Sequence, residues 1–189
     1  MTLFRTIEPA AEPVTLAQVK AHLRISDSGE DELLAELVRG AREEVERSTG
    51  LALIDQSWRL VLDRLPRHAT VTLPRHPVRA VTSVTVYGTD GEATLVPGSD
   101  YQLDPLSRPA RLHFEKPPTA TQRMNGIEVD FSAGFGEAGT DVPDTLKRAL
   151  ILLVAHWYEF RAQVEPGDHP VSHPATYERL IAPYRVRRL

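Results

Sequence analysis

Metal or acid–base chemistry in this chain would have to come mainly from its seven histidines and 26 acidic residues, because it contains no cysteine. Disulfides, thiolate metal sites and cysteine nucleophiles are therefore excluded. His169 and His173 have a spacing that, on a helix, would put two imidazoles on one face for a metal ion. Pro170 and Pro174 interrupt any helix there, and no third ligand accompanies the pair, so a metal site is not expected. His156 stands beside Trp157 in a strongly apolar stretch, which predicts a hydrogen-bonded core or interface histidine rather than a catalytic base. Ser132, Ala133, Gly134, Phe135 and Gly136 make a Gly-rich run, but it lacks the lysine and the glycine spacing of a phosphate loop. A turn at a strand end accounts for it better. Asp27, Asp31, Asp141 and Asp144 lie where helix N-termini favour carboxylates, so capping explains them without acid–base work. No convergent set of nucleophile, base and oxyanion donor is present, and the expectation is a non-enzymatic protein with no catalytic residues, no metal and no cofactor.

Composition points the same way. Apolar residues make up 41% of the 189 and charged residues 25%, which suits a folded globular chain and one structural unit rather than two independent domains. The formal charge of -4 leaves no global excess of Lys and Arg for neutralising phosphates, so avid DNA binding is not expected. Residues 1–11 hold one arginine and no sustained apolar run, which predicts no secretion signal and synthesis in the cytoplasm. The longest apolar run, residues 149–155, is far shorter than the roughly 20 residues of a membrane-spanning helix, and no membrane association is expected.

The elements that would carry any functional surface can be read from periodicity and punctuation. Thr15 and Gln18 have the form of a capping box ahead of Leu16, Val19 and Leu23, which share one helical face. Asp27, Ser28 and Gly29 break that helix, and a longer one is predicted over residues 30–49 with Gly50 as its left-handed cap. Its buried stripe is Leu33, Leu34, Leu37, Ala41 and Val45; Glu36, Arg39, Arg42, Glu43, Glu46 and Arg47 form an opposite face expected to be solvated. The period then changes to two. Trp58, Leu60 and Leu62 alternate with Arg59, Val61 and Asp63, and Val78, Ala80, Thr82, Val84 and Val86 are predicted to share one face of a strand leading to an Asp90-Gly91 hairpin turn. Further strands at about 71–73, 93–96, 101–103, 111–114 and 127–131 bring the total to about seven, with prolines in nearly every gap.

Helix resumes after Gly139, where Thr140 or Asp141 can cap and Pro143 suits a first helical position, and is predicted to run to about residue 161. Leu146, Ala149, Leu150, Leu153 and Trp157 form its main stripe, but Ile151, Leu152 and Val154 make its middle apolar on nearly every side, so it must be covered all round. Trp58, Leu150, Leu153 and Trp157 are the expected core or interface anchors. Residues 166–174 read as a Pro-rich linker, followed by a short helix over 175–182 and a basic tail of Tyr184, Arg185, Val186, Arg187, Arg188 and Leu189. The whole is an α+β chain: an N-terminal helical part (1–50), an inserted small antiparallel β-sandwich or open barrel (51–139), a long helix completing the helical core (140–165), and a linker, short helix and docking tail (166–189).

Several segments, in this order, carry a resemblance. PVTLAQVKAHLRI at 13–25, the helix at 31–50 ending in STG, Gln56-Ser57-Trp58 opening a strand, LPRHPVRAVTSVTV at 73–86, YQLD at 101–104, VDFSAGFG at 129–136, VPDTLKRALILLVAHWYEFR at 142–161 and IAPYR at 181–185 resemble the head-tail connector (adaptor, or head-completion) proteins of tailed phages and of phage-derived gene transfer agents. The resemblance covers nearly the whole chain.

It implies a structural subunit of a virion neck, assembled from the host cytoplasm into a ring, most simply a dodecamer. Such a ring sits beneath the portal protein, receives tail-completion or stopper proteins on its other face, and lets DNA pass without specific binding. In such proteins the C-terminal segment docks to the portal, which assigns Tyr184, Arg185, Arg187, Arg188 and Leu189 here. A linker with several prolines gives reach, and an aromatic residue with three arginines suits an acidic groove. The bland alternative for the tail is a solvated, frayed terminus. Two rival functions are a small DNA-binding or a hydrolytic accessory protein of phage origin. The first needs a basic stripe and the second a constellation of acid, base or metal groups, and the sequence offers neither.

Overall fold

The computed structural model describes residues 1–160 and 173–185. In chain order they form β1 (Thr2–Ile7), α1 (Leu16–Leu23), α2 (Asp31–Thr49), β2 (Gln56–Leu62), β3 (Thr70–Leu73), β4 (Val78–Tyr87), β5 (Ala93–Leu95), β6 (Tyr101–Asp104), β7 (Ala110–Phe114), β8 (Ile127–Ala133), α3 (Asp144–Phe160) and α4 (Ala175–Ile181). Single turns of 3-10 helix occupy Gly98–Asp100, Gly139–Asp141 and Ala182–Tyr184. The fold is α+β, with two antiparallel sheets and no closed barrel among the described residues. Two compact units make up the chain: Met1–Ala10 with Asp55–Phe135, and Ala11–Ile54 with Gly136–Leu189.

The first unit holds all eight strands, in a five-stranded sheet of order β1-β2-β8-β4-β5 and a three-stranded sheet of order β3-β7-β6. Alternation is cleanest in β8, where Ile127, Val129, Phe131 and Ala133 are buried and Glu128, Asp130 and Ser132 are not. Trp58, Leu60 and Leu62 on β2 pair with Phe131, Val129 and Ile127, so the two strands contribute to one apolar face. In the smaller sheet Val71, Leu73, Ala110, Leu112 and Phe114 are buried. The single face expected for β4 is not formed. Register shifts between Val78 and Ala80 and between Val81 and Ser83 insert extra residues, so Val78, Val81, Val84 and Val86 are the partners of Ala133, Phe131, Val129 and Ile127. Ala80 and Thr82 are exposed instead. The Asp90-Gly91 turn forms as its residues predict, with Gly91 at φ 81° and the Gly88 N–H donating to the Glu92 carbonyl at 2.9 Å. β1 is an eighth strand beyond the seven expected, antiparallel to β2 with a bulge between Arg5 and Ile7.

In the second unit the capping box forms as read: the Gln18 N–H donates to Thr15 Oγ1 at 3.2 Å, and the Thr15 N–H donates to Gln18 Oε1 at 2.8 Å. Gly50 takes the left-handed conformation at φ 74° and its N–H donates to the Glu46 carbonyl at 2.9 Å. α2 packs against α3, and α3 against α4. Val19, Leu34, Val38, Ala41, Val45, Leu146, Ala149, Leu150, Leu153 and Val154 are the buried stripe. Ile151 and Leu152 are half-buried, so among the described residues α3 is less covered on that side. Gly139 is needed where it stands, because a Cβ there would lie 2.6 Å from the Pro13 carbonyl oxygen.

The charged face of α2 departs from expectation at two residues. Arg42 and Glu46 are each 3% exposed rather than solvated. Arg42 Nε donates to Glu12 Oε2 at 2.9 Å and Nη1 to Glu46 Oε2 at 3.3 Å, while Glu46 Oε1 accepts the Leu53 N–H at 2.8 Å. Periodicity within α2 places these two residues beside the stripe, but only the chain segments before α1 and after Gly50 bury them. Those segments bring Glu12 and an N–H that needs an acceptor.

Candidate docking site at the C-terminal helix

α4 is seven residues long and too short to persist alone, so its place depends on what it buries. Tyr177 and Ile181, one turn apart, are both 0% exposed. Burial pushes the Tyr177 phenol up to about 12, with the Ser48 hydroxyl of α2 drawing it the other way. Pro183 follows the helix within the closing 3-10 turn. Just ahead of α4, His173 lies against the Tyr177 ring with centroids 5.0 Å apart. Its Nε2 is 3.6 Å from Glu44 Oε1 and its Nδ1 3.5 Å from Glu178 Oε1.

These contacts extend into a row in which basic and acidic side chains alternate. Glu44 also accepts from the Ser48 hydroxyl at 2.7 Å and from Arg47. Burial works to raise the Glu44 carboxyl, and the Ser48 and Arg47 donors outweigh it, leaving the group below its ordinary range. At the other end Arg185 Nη2 is 2.6 Å from Glu178 Oε2, with the Arg185 side chain 42% exposed. Arg47, Glu44, His173, Glu178 and Arg185 thus link the last turn of α2 to the residue that follows the final turn. Sequence reading did not find this row; the His173–Glu178 separation of five residues was legible, but Glu44 lies far off in sequence.

Of the residues expected to dock, Tyr184 is half-buried and Arg185 exposed. Arg187, Arg188 and Leu189 lie outside the described residues, as does His169, so of the histidine pair only His173 is placed, and it faces carboxylates. Among the described residues no group of three or more His, Asp or Glu is arranged to hold a metal ion.

The expected anchors are divided between the two units. Leu150 and Leu153, both 0% exposed, lie on α3, as does half-buried Trp157, beside Gly40 of α2. Trp58 lies on β2, 6% exposed, with the Arg75 guanidinium 4.6 Å and the Arg5 guanidinium 5.8 Å from its ring centre. His156 packs tilted against the Phe160 ring with centroids 4.6 Å apart. Its Nε2 is buried with no hydrogen-bond partner among the described residues, which differs from the hydrogen-bonded histidine expected. The Gly-rich run is the end of β8 and the chain just after it, where the Gly134 N–H donates to the Pro77 carbonyl, at the entry to β4, at 2.9 Å. Asp141 accepts from the Ala138 N–H at 3.1 Å, and Asp144 pairs with Lys147 at 2.8 Å in the first turn of α3, so both serve helix starts.

Comparison with known proteins gives a consistent result. Residues 13–93 match the family described as Phage gp6-like head-tail connector protein. No curated protein matches. Among solved structures, a chain of "Neck of empty GTA particle computed with C6 symmetry" is similar at 28% identity and a TM-score of 0.84, over 100% of this chain and 97% of that one. A chain of "Virion of native gene transfer agent (GTA) particle" gives 28% identity and a TM-score of 0.83, with the same coverage of 100% and 97%. A third, from "Neck of native GTA particle computed with C12 symmetry", gives 28% and 0.81, again over 100% and 97%. Residues 13–93 are thus similar to the phage gp6-like head-tail connector proteins, and the chain over its whole length to chains of gene transfer agent particles.

Proposed function

We propose that the chain is a non-enzymatic adaptor subunit that assembles into a ring in the neck of a tailed-phage or gene transfer agent particle, between the portal protein and the tail-completion or stopper protein. The observation that carries this reading is the end-to-end likeness, 100% of this chain against 97% of the other, to a chain from a gene transfer agent neck. A partial match would suit a borrowed domain, whereas the same elements throughout suit the same task. A twelve-subunit ring is supported by the similar chain in a neck computed with C12 symmetry. The strand-bearing layer is read as an inserted sandwich and the helices on either side of it in sequence as one helical core.

Portal docking is assigned to the segment after Ile181, namely Tyr184, Arg185, Arg187, Arg188 and Leu189. Burial of Tyr177 and Ile181 supports this, because it fixes α4 as a base from which the tail departs. The test is cryo-electron microscopy of the purified chain mixed with its cognate portal oligomer. Added symmetric density on the tail-facing side of the portal, with the tail in contact, is the expected result. A portal without added density at saturating concentrations of the chain overturns the reading.

A further inference from the structure

The residues assigned to portal docking begin at Tyr184, and the first of their arginines is already engaged. The 3-10 turn Ala182–Tyr184 closes with the Arg185 N–H donating to the Ala182 carbonyl at 3.3 Å, and Arg185 Nη2 lies 2.6 Å from Glu178 Oε2 on α4. Glu178 is fixed from the other side. Its Oε1 lies 3.5 Å from His173 Nδ1, and α4 itself is held by Tyr177 and Ile181, both 0% exposed. An arginine that a partner needs is thus bound within its own chain.

Exposure decides what such a contact can do. The Arg42 side chain, between Glu12 and Glu46, is 4% exposed, whereas those of Arg185 and Glu178 are 42% and 37% exposed. Breaking a pair that water reaches strands neither charge, and such a pair shifts an equilibrium by about fivefold at most. It is weak enough to exchange. A lone surface carboxylate gains nothing by the exchange, since one exposed pair is broken for each one formed. A groove with two or more carboxylates does gain, because bidentate, charge-assisted hydrogen bonds strengthen as water is excluded.

We infer that Glu178 is an intramolecular stand-in for the portal: it holds Arg185 on α4 until a site with more than one carboxylate displaces it. The docking arginine is thereby withheld from weaker acidic surfaces, a discrimination that the basic tail by itself does not have. The inference rests on the portal-docking reading above.

The test is a double-mutant cycle on portal affinity, with wild type, E178Q, R185A and E178Q/R185A each titrated onto the cognate portal oligomer. E178Q keeps the size of the side chain and removes the charge that competes for Arg185. The expected results are binding by E178Q about two- to fivefold tighter than wild type, weaker binding by R185A, and no gain from E178Q in the R185A background. Amide exchange in α4 should be the same in E178Q and wild type, since Tyr177 and Ile181 hold the helix. Unchanged or weaker binding by E178Q overturns the inference. A fall in α4 protection would make Glu178 a strut of the helix, and an equal gain with and without Arg185 would mean that Glu178 only repels an acidic groove; either result overturns it too. If R185A binds as well as wild type, Arg185 leaves the docking set and this inference falls, while docking by the rest of the tail stands. If wild type binds no portal, the docking reading itself fails.

Discussion

Arg42 lies between Glu12 at 2.9 Å and Glu46 at 3.3 Å with a side chain 4% exposed, so removing it strands the equally buried Glu46 carboxylate and takes the cation from the partly buried Glu12. Burial already pushes the Glu12 carboxyl upward, and Arg42 opposes that rise. Arg42→Ala should therefore cost about 3–5 kcal/mol, the range for breaking a buried pair from one side. Glu46→Gln, which keeps an oxygen for the Leu53 N–H, should cost distinctly less; urea unfolding of the two variants checks the order. His76 gives a pH-dependent counterpart. It is 2% exposed, and burial, then the neighbouring Arg108 and Arg75, depress its pKa from 6.5 to about 4. The folded chain holds this imidazole neutral while the unfolded chain protonates it below about 6.5, so stability is present at neutral pH and falls as pH drops from 6.5 towards 4. Its share of the slope is at most about 1.4 kcal/mol per pH unit. His76→Gln should flatten that stretch of the stability–pH curve relative to wild type, and parallel curves would show that His76 does not set it.

At the scale of elements, the base and the reach of the C-terminal segment separate. Tyr177→Ala removes the largest fully buried side chain among the described residues and should cost about 3–5 kcal/mol, read first as loss of hydrogen-exchange protection in α4. A chain ending at Ala182 keeps Tyr177 and Ile181 in place, so α4 should remain protected while portal binding is lost; normal binding by the shortened chain would remove the docking role from the tail. The sequence makes α1, α2 and α3 legible because caps and stripes are local: Thr15 with Gln18, Gly50, and the 146/149/150/153 spacing each act within a few residues. β4 was legible as a strand but not in its facing, because two bulges move the inward residues from a strict alternation to Val78, Val81, Val84 and Val86. β1 was missed because its burial is slight and its one partner, β2, lies some fifty residues on. Long-range partners also hid the candidate site, since nothing near His173 in sequence announces Glu44.

At the scale of the whole molecule, charge decides how tightly the chain can hold DNA. The formal charge is -4, and several arginines are held by carboxylates: Arg59 by Asp130 at 2.7 Å and Glu128 at 3.0 Å, Arg111 by Asp104 at 2.6 Å, Arg42 by Glu12 and Glu46, and Arg185 by Glu178. A guanidinium already neutralised gains little from a phosphate and releases few net counterions. Affinity for random duplex should therefore be no tighter than about 10⁻⁴ M at physiological salt, and the slope of log affinity against log salt should be no steeper than about -2, measured by fluorescence anisotropy between 50 and 200 mM salt. The same logic gives weak adhesion a use. If the proposed ring surrounds a DNA path it must let the duplex slide, and each phosphate contact adds a bond to be broken per step, so a subunit that spends its cations internally favours passage over grip. A slope near -6 or steeper would mean that several arginines leave their carboxylates for DNA, and the channel wall would then be a brake.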